Sequence, residues 1–160
     1  MPSWVTYNML AFIIFLALVA GTAFFGGQWN NKEWYRSLSK PDWTPPAWLF
    51  PPVWFFLYTL IAIAGFLIWN TPHESRTLLL GLWGVQLLLN GLWSFIFFGR
   101  RETGLALADI VALWLAIAAF TGLAWPVNHL ASMLFMPYLA WVSYAAALNG
   151  AIWRSNASAG

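Results

Sequence analysis

Five stretches of about 20 residues, each nearly free of charge, constrain this chain more than anything else in it. A bilayer core about 30 Å thick needs roughly 20 apolar residues of helix to cross it. The runs fall near 8–25, 48–69, 78–98, 105–125 and 130–153. Each is bounded by a breaker or a charge: Gly26-Gly27, Asn70-Thr71-Pro72, Gly99-Arg100-Arg101, Pro126 and Arg154. The runs are continuous, with no two-residue alternation, so they read as helices and not as barrel strands. Pro45-Pro46 suit the first turn of the second span, where a missing N–H costs nothing. The expected fold is an all-α membrane protein, a five-transmembrane-helix bundle, forming one unit over 1–160. The apolar stretch after Tyr7 is too long for a leader's core and reads as a retained first span.

The composition leaves few other classes open. Hydrophobic residues make up 61% and charged residues 8%, against about 25% charged in an ordinary soluble domain. A net charge of +2 with no basic run gives nucleic acid nothing to bind. Cysteine is absent, which removes disulfides and thiolate metal sites. His73 and His129 fall in loops, and no nucleophile–base pair or phosphate loop stands out, so neither a catalytic residue nor a metal ligand is expected. The partner that this composition implies is a lipid bilayer.

The one long connection, 26–44, carries Lys32, Glu33, Arg36, Lys40 and Asp42, and 32–39 reads as a short amphipathic turn. With five spans, this loop lies on the same side as Arg100, Arg101 and Arg154, which leaves only Arg76 opposite. The positive-inside rule then puts the N-terminus outside and the C-terminus on the cytoplasmic-equivalent side of a multi-pass integral protein.

Depth along the spans can then be compared. From the basic side, Trp54 and Tyr58 lie about six and ten residues in, roughly 9 and 15 Å. Asn90 and Trp93 reach similar levels from the third span, Asp109 from the fourth, and Trp141, Ala145 and Asn149 from the fifth. Polar and ring-bearing residues therefore gather in one half of the membrane. Gln86, Asn90 and Ser94 form one stripe at a spacing of four. Gln86 reads equally well as a contact between helices. Asp109 lies near the interface, where Arg100 or Arg101 would neutralise it, and a structural ion pair is the favoured reading. Trp29 and seven other indoles sit at span ends, as an interfacial belt requires. Trp54, Trp83, Trp93, Trp114 and Trp141 lie deeper and need partners for their N–H groups. Pro51, Pro52 and Pro137 are expected to bend their spans near the same level.

These residues also carry a resemblance. Trp34-Tyr35, Lys40-Pro41-Asp42-Trp43-Thr44-Pro45-Pro46, Trp54 and Leu57-Tyr58 resemble the translocator protein/tryptophan-rich sensory protein (TspO/MBR) family. So do Gln86, Leu89-Asn90, Trp93, Phe97-Phe98-Gly99, Ala108-Asp109, Pro137-Tyr138-Leu139-Ala140-Trp141, Leu148-Asn149 and Trp153-Arg154. The resemblance implies five helices, a homodimer, and a cavity for tetrapyrroles such as protoporphyrin, for sterols or for flat drugs. It implies a pocket lined by Trp54, Asn90, Trp141, Ala145 and Leu148, with Trp34 and Tyr35 in a lid; Tyr58 and Trp93, at the same depth, and Tyr138 complete the expected ligand-binding set. Lys32, Arg36 and Lys40 would meet porphyrin propionates at the mouth. Porphyrin is expected as a ligand and no resident cofactor is expected. The family's sterol motif has a Tyr where this chain has Gly150, a departure that counts against tight sterol binding. A receptor or sensor is the leading reading. The alternatives are a translocator, or an enzyme degrading porphyrin in light through Trp54 and Trp141.

Overall fold

The computed structural model describes residues 3–157; positions 1–2 and 158–160 of the expected unit lie outside them. Six helices follow in order: α1 (Ser3–Gly27), α2 (Lys32–Ser37), α3 (Phe50–Trp69), α4 (Arg76–Ser94), α5 (Thr103–Ala124) and α6 (His129–Ala157). A 3-10 turn, Ala47–Leu49, leads into α3, and a π-helical turn, Phe95–Gly99, extends α4. Five of these units are long and apolar enough to cross a membrane: α1, α3 with its leading turn, α4 with its π turn, α5 and α6. Among the described residues there is no strand. The chain is a five-helix membrane bundle.

The helices pack in the cyclic order α1, α3, α6, α5, α4, which brings α4 back beside α1. This order sets α3, α4 and α6 around a shared interior. α1 is held by rings: Phe15 meets Trp83 edge-on at 4.9 Å and Phe12 meets Phe66 at 5.3 Å. Gly65 makes that approach possible. A Cβ there would lie 2.6 Å from the Trp83 ring and 2.7 Å from Phe15. On the far side, Phe120 and Phe135 join α5 to α6 with ring centres 4.0 Å apart.

The helix ends follow from local chemistry. Asn31 caps α2 by accepting from the Trp34 N–H at 3.1 Å. Asn128 does the same for α6, accepting from Ala131 N–H at 3.0 Å, and its amide donates to Thr71 Oγ1, tying two loops together. Between α4 and α5 the chain reverses within three residues. Arg101 takes a left-handed conformation there, with φ 61°, which suits glycine far better than arginine.

Three expectations are corrected. Pro51 and Pro52 begin α3, where no N–H is needed, so they start the helix and do not bend it. Trp29 is no simple belt residue: it packs edge-on against Phe95 at 4.8 Å and lies over Gly99. Its indole N–H is buried without a partner. Asp109 forms no ion pair. Arg100 is taken by Glu102 at 2.6 Å, while the Asp109 Oδ2 is buried on α5 with no hydrogen-bond partner.

Candidate functional site: a hydrogen-bonded aromatic centre beneath a lid

The polar stripe of α4 points into the interior that α3 and α6 share. Tyr58 Oη donates to Asn90 Oδ1 at 2.8 Å, and Asn90 Nδ2 donates to Tyr138 Oη at 2.9 Å. Tyr138 donates in turn to Gln86 Oε1 at 2.9 Å, and Gln86 Nε2 donates to the Trp83 carbonyl at 2.8 Å. The Trp83 indole then reaches the Ile61 carbonyl on α3 at 2.8 Å. Gln86, Asn90 and Tyr138 are buried, and each has its partners. Such satisfaction is required where no water is at hand. Gln86 belongs to the same chain of bonds as Asn90; its spacing on α4 was the signal for this, and a plain contact between helices had been an equally good reading.

Trp54 closes one side of this centre. Its ring lies 5.3 Å from Tyr58 at a shallow 33° and 6.3 Å from Tyr138, nearly edge-on. Four expected residues, Trp54, Tyr58, Asn90 and Tyr138, therefore form one connected group.

A second group lies toward the basic side. The short helix α2 sets Trp34 and Tyr35 on Phe97 and Phe98, with ring centres 5.6 to 6.5 Å apart. The π turn explains why both phenylalanines are available: a wider turn re-aims consecutive side chains, and such turns recur at functional places. Leu148 and Ile152 pack into the same cluster from α6. Trp93 joins the two groups. It stacks on Phe97 at 5.0 Å and 25°, packs on both clusters, and donates from Nε1 to Asn149 Oδ1 at 3.0 Å. Phe97, Phe98 and Asn149 were absent from the expected set.

The lid is strapped in place. Lys40 Nζ donates to the carbonyls of Tyr35, Leu38 and Arg36 at 2.7, 2.9 and 3.2 Å, and lies 5.0 Å from the Tyr35 ring centre. It therefore closes the C-terminal end of α2 and is not free at a mouth; Lys32 and Arg36 remain exposed. Ser39 and Asn156 exchange two hydrogen bonds, at 3.1 and 3.0 Å, fastening the loop to the end of α6. Burial raises the Tyr35 phenol above its ordinary pKa of 10.0, with Tyr144 adding to the effect. Tyr35 thus remains a neutral hydrogen-bond donor.

Trp141 and Ala145 stand apart from Trp54. Trp141 packs against Phe50 at 5.8 Å and Tyr144 at 6.0 Å. With Val53, Leu57 and Pro137 it lines a groove of about 410 Å³ between α3 and α6. Ala145 packs at the edge of the main core. Among the described residues, no three His, Asp or Glu side chains converge as metal ligands would.

A bundle of five apolar spans with an aromatic interior and a short helix packed on one end defines a class of small polytopic membrane proteins. Comparison with known proteins narrows it. The TspO/MBR family model matches residues 9–154. The chain is 37% identical to the CrtK protein of Rhodobacter capsulatus over 93% of its own length and 94% of that protein's. It is 37% identical to the human translocator protein over 97% and 92% of the two chains. It is 36% identical to the tryptophan-rich sensory protein of Cereibacter sphaeroides over 91% and 90%. The chain belongs to the TspO/MBR family and is a multi-pass integral membrane protein.

Proposed function

We propose that this protein is a membrane receptor for a flat tetrapyrrole, held between α3, α4 and α6 beneath α2. The observation that carries the reading is the grouping of Trp54, Tyr58 and Tyr138 around a buried amide, Asn90. Rings supply broad apolar faces for a macrocycle, and the amide and phenols supply the few polar points that fix orientation. The names of its relatives, a translocator and a sensory protein, agree with a membrane sensor or carrier. Exposed Lys32 and Arg36 beside the lid offer charge for propionates. The orientation proposed from the Lys/Arg distribution places this lid on the cytoplasmic-equivalent side, and the working unit proposed is a homodimer. The α3–α6 groove lined by Trp141 and Pro137 would be the route by which a macrocycle enters from the bilayer.

The test is a titration of the purified protein with protoporphyrin IX, followed by quenching of its tryptophan emission. Saturable quenching that weakens in Trp54→Ala supports the reading. Non-saturating quenching, identical in wild type and variant, would overturn it.

A second reading rests on the close Trp54–Tyr58 pair, which sets an oxidisable indole beside a hydrogen-bonded phenol. In that reading the protein is an enzyme that couples light absorption by the bound porphyrin to its oxidation by dioxygen. A Trp54→Phe, Trp141→Phe double variant keeps flat rings. It should bind porphyrin yet cease consuming it under light, judged against dark and protein-free controls. Consumption at the wild-type rate would remove both indoles from the chemistry.

A further inference from the structure

A groove of about 440 Å³ runs down the outer side of the α5–α6 pair, well away from the aromatic centre. Its floor is Ala147, Gly150 and Ala151 of α6 with Leu107 of α5. On α6, positions 147, 150, 151 and 154 share one face, and the first and last lie about 10 Å apart along the axis. The outer end of this track is Arg154, exposed and, among the described residues, without a carboxylate or hydrogen-bond partner. Two half-exposed indoles flank it. Trp43 is fixed by Tyr144, which donates its hydroxyl to the Trp43 carbonyl and packs edge-on against its ring. Trp153 lies against Gly104, where a Cβ would stand 2.7 Å from its indole nitrogen.

The groove is open because of Gly150. A Cβ there would meet nothing nearer than Leu107 at 3.8 Å, so the floor has room that any larger side chain would fill. The result is a narrow apolar track that enters the bilayer from a single free cation framed by interfacial indoles. That arrangement matches a phospholipid in one respect a second protein chain does not: charge at the interface followed at once by unbroken hydrocarbon. Arg154 gives a forked donor for a phosphate, and uncompensated basic residues at a membrane surface favour anionic headgroups.

We propose that this groove is a specific site for one anionic phospholipid, its phosphate on Arg154 and one acyl chain along Ala147 and Gly150. The site is separate from the tetrapyrrole centre and does not depend on it.

Native mass spectrometry of the full-length protein released from detergent, with phosphatidylglycerol and phosphatidylcholine of identical chains, tests the proposal. Wild type should retain one phosphatidylglycerol in preference to phosphatidylcholine. Arg154→Gln should lower phosphatidylglycerol retention about fivefold, to the phosphatidylcholine level. Gly150→Leu should lose both lipids by filling the track. Gly122→Leu is the control: Gly122 is exposed, and a Cβ there meets nothing within 4 Å. It should behave as wild type. Thermal melts establish that each variant is folded, with Ala147→Leu replacing Gly150→Leu if the latter fails. Protoporphyrin quenching should be unchanged in all of them, which keeps this result distinct from the receptor reading. Undiminished phosphatidylglycerol preference in Arg154→Gln would overturn the proposal. So would lipid retention by Gly150→Leu equal to wild type, since a filled track could not then be the lipid's seat.

Discussion

Asn90→Leu should weaken the bundle by an amount the hydrogen-bond geometry fixes within a narrow range. Leucine has the same branched heavy-atom skeleton as asparagine, so the change chiefly removes two interhelical bonds, from Tyr58 at 2.8 Å and to Tyr138 at 2.9 Å. Couplings between membrane helices average about 0.6 kcal/mol and reach about 1.7 kcal/mol. Two such bonds give about 1.2 kcal/mol at the average and roughly 3 kcal/mol near the ceiling. The two phenols respond differently. Tyr138 keeps Gln86 as its acceptor, whereas Tyr58 loses the one acceptor it has. An orphaned buried donor adds its own penalty of about 1–3 kcal/mol, so the larger part of the loss belongs to Tyr58. The assay is reversible unfolding in mixed micelles, run as a double-mutant cycle with Tyr58→Phe. The coupling between the two changes should be about 0.6–1.7 kcal/mol. Additivity within about 0.3 kcal/mol would show that the bond contributes nothing and would refute the reasoning.

Gly65→Ala should destabilise the bundle by about 1–3 kcal/mol, because its methyl group would strike the Trp83 and Phe15 rings where three helices meet; the same unfolding assay measures it. Arg101→Gly should stabilise by about 1 kcal/mol, since it relieves a left-handed arginine in the α4–α5 turn; an unchanged midpoint would mean the turn carries no strain. Single cysteines at Ser37, Ser75 and Ser155, clean reporters in a chain without cysteine, should label from one side for Ser37 and Ser155 and from the other for Ser75. Labelling of Ser37 and Ser75 from the same side would contradict the alternation of five spans.

The spans were legible because bilayer thickness imposes a length that the apolar runs declare directly, and the breakers at Gly26-Gly27 and Pro126 fall where α1 and α5 end. Counting 1.5 Å per residue put Asn90 between Trp54 and Tyr58 in depth, and the Tyr58–Asn90 bond and the Trp54–Tyr58 ring contact bring the three together. Rotation about each helix axis was not legible, because nearly every face of an apolar helix looks alike in sequence. That is why Trp141, at a matching depth, lines an outer groove and not the interior around Tyr138. Backbone departures escaped for a related reason. No residue type announces a π turn, so the placement of Phe97 and Phe98 under the lid could not be derived. The choice of proline pair failed on a single turn of register: Pro51-Pro52, not Pro45-Pro46, stand at the start of α3. Asp109 was misjudged because Arg100 had a nearer partner two residues away in Glu102.

The α2 cluster and the aromatic centre are joined through Trp93, and this would give the proposed binding a route to the surface. Trp93 stacks on Phe97, which carries Trp34 and Tyr35, while its own backbone sits three residues beyond Asn90 on α4. Its indole donates to Asn149, whose amide reaches the Thr103 carbonyl at the start of α5. A ligand that displaces Trp54 or Tyr58 must disturb the bond to Asn90, and any shift of α4 there is carried by Trp93 into the π turn beneath the lid. The phenols and amides of the centre bond to one another, so entry of the proposed macrocycle would have to replace these bonds with contacts of comparable worth. Under the proposed receptor reading, a ligand that offered only apolar surface would leave phenols and amides unpaired in a medium that cannot solvate them, and would bind more weakly for that reason. One that carries ring nitrogens or carboxylates can meet them. In the proposed receptor, selectivity for a polar-cored, flat molecule over a plain hydrocarbon would then follow from the same network that holds α3, α4 and α6 together.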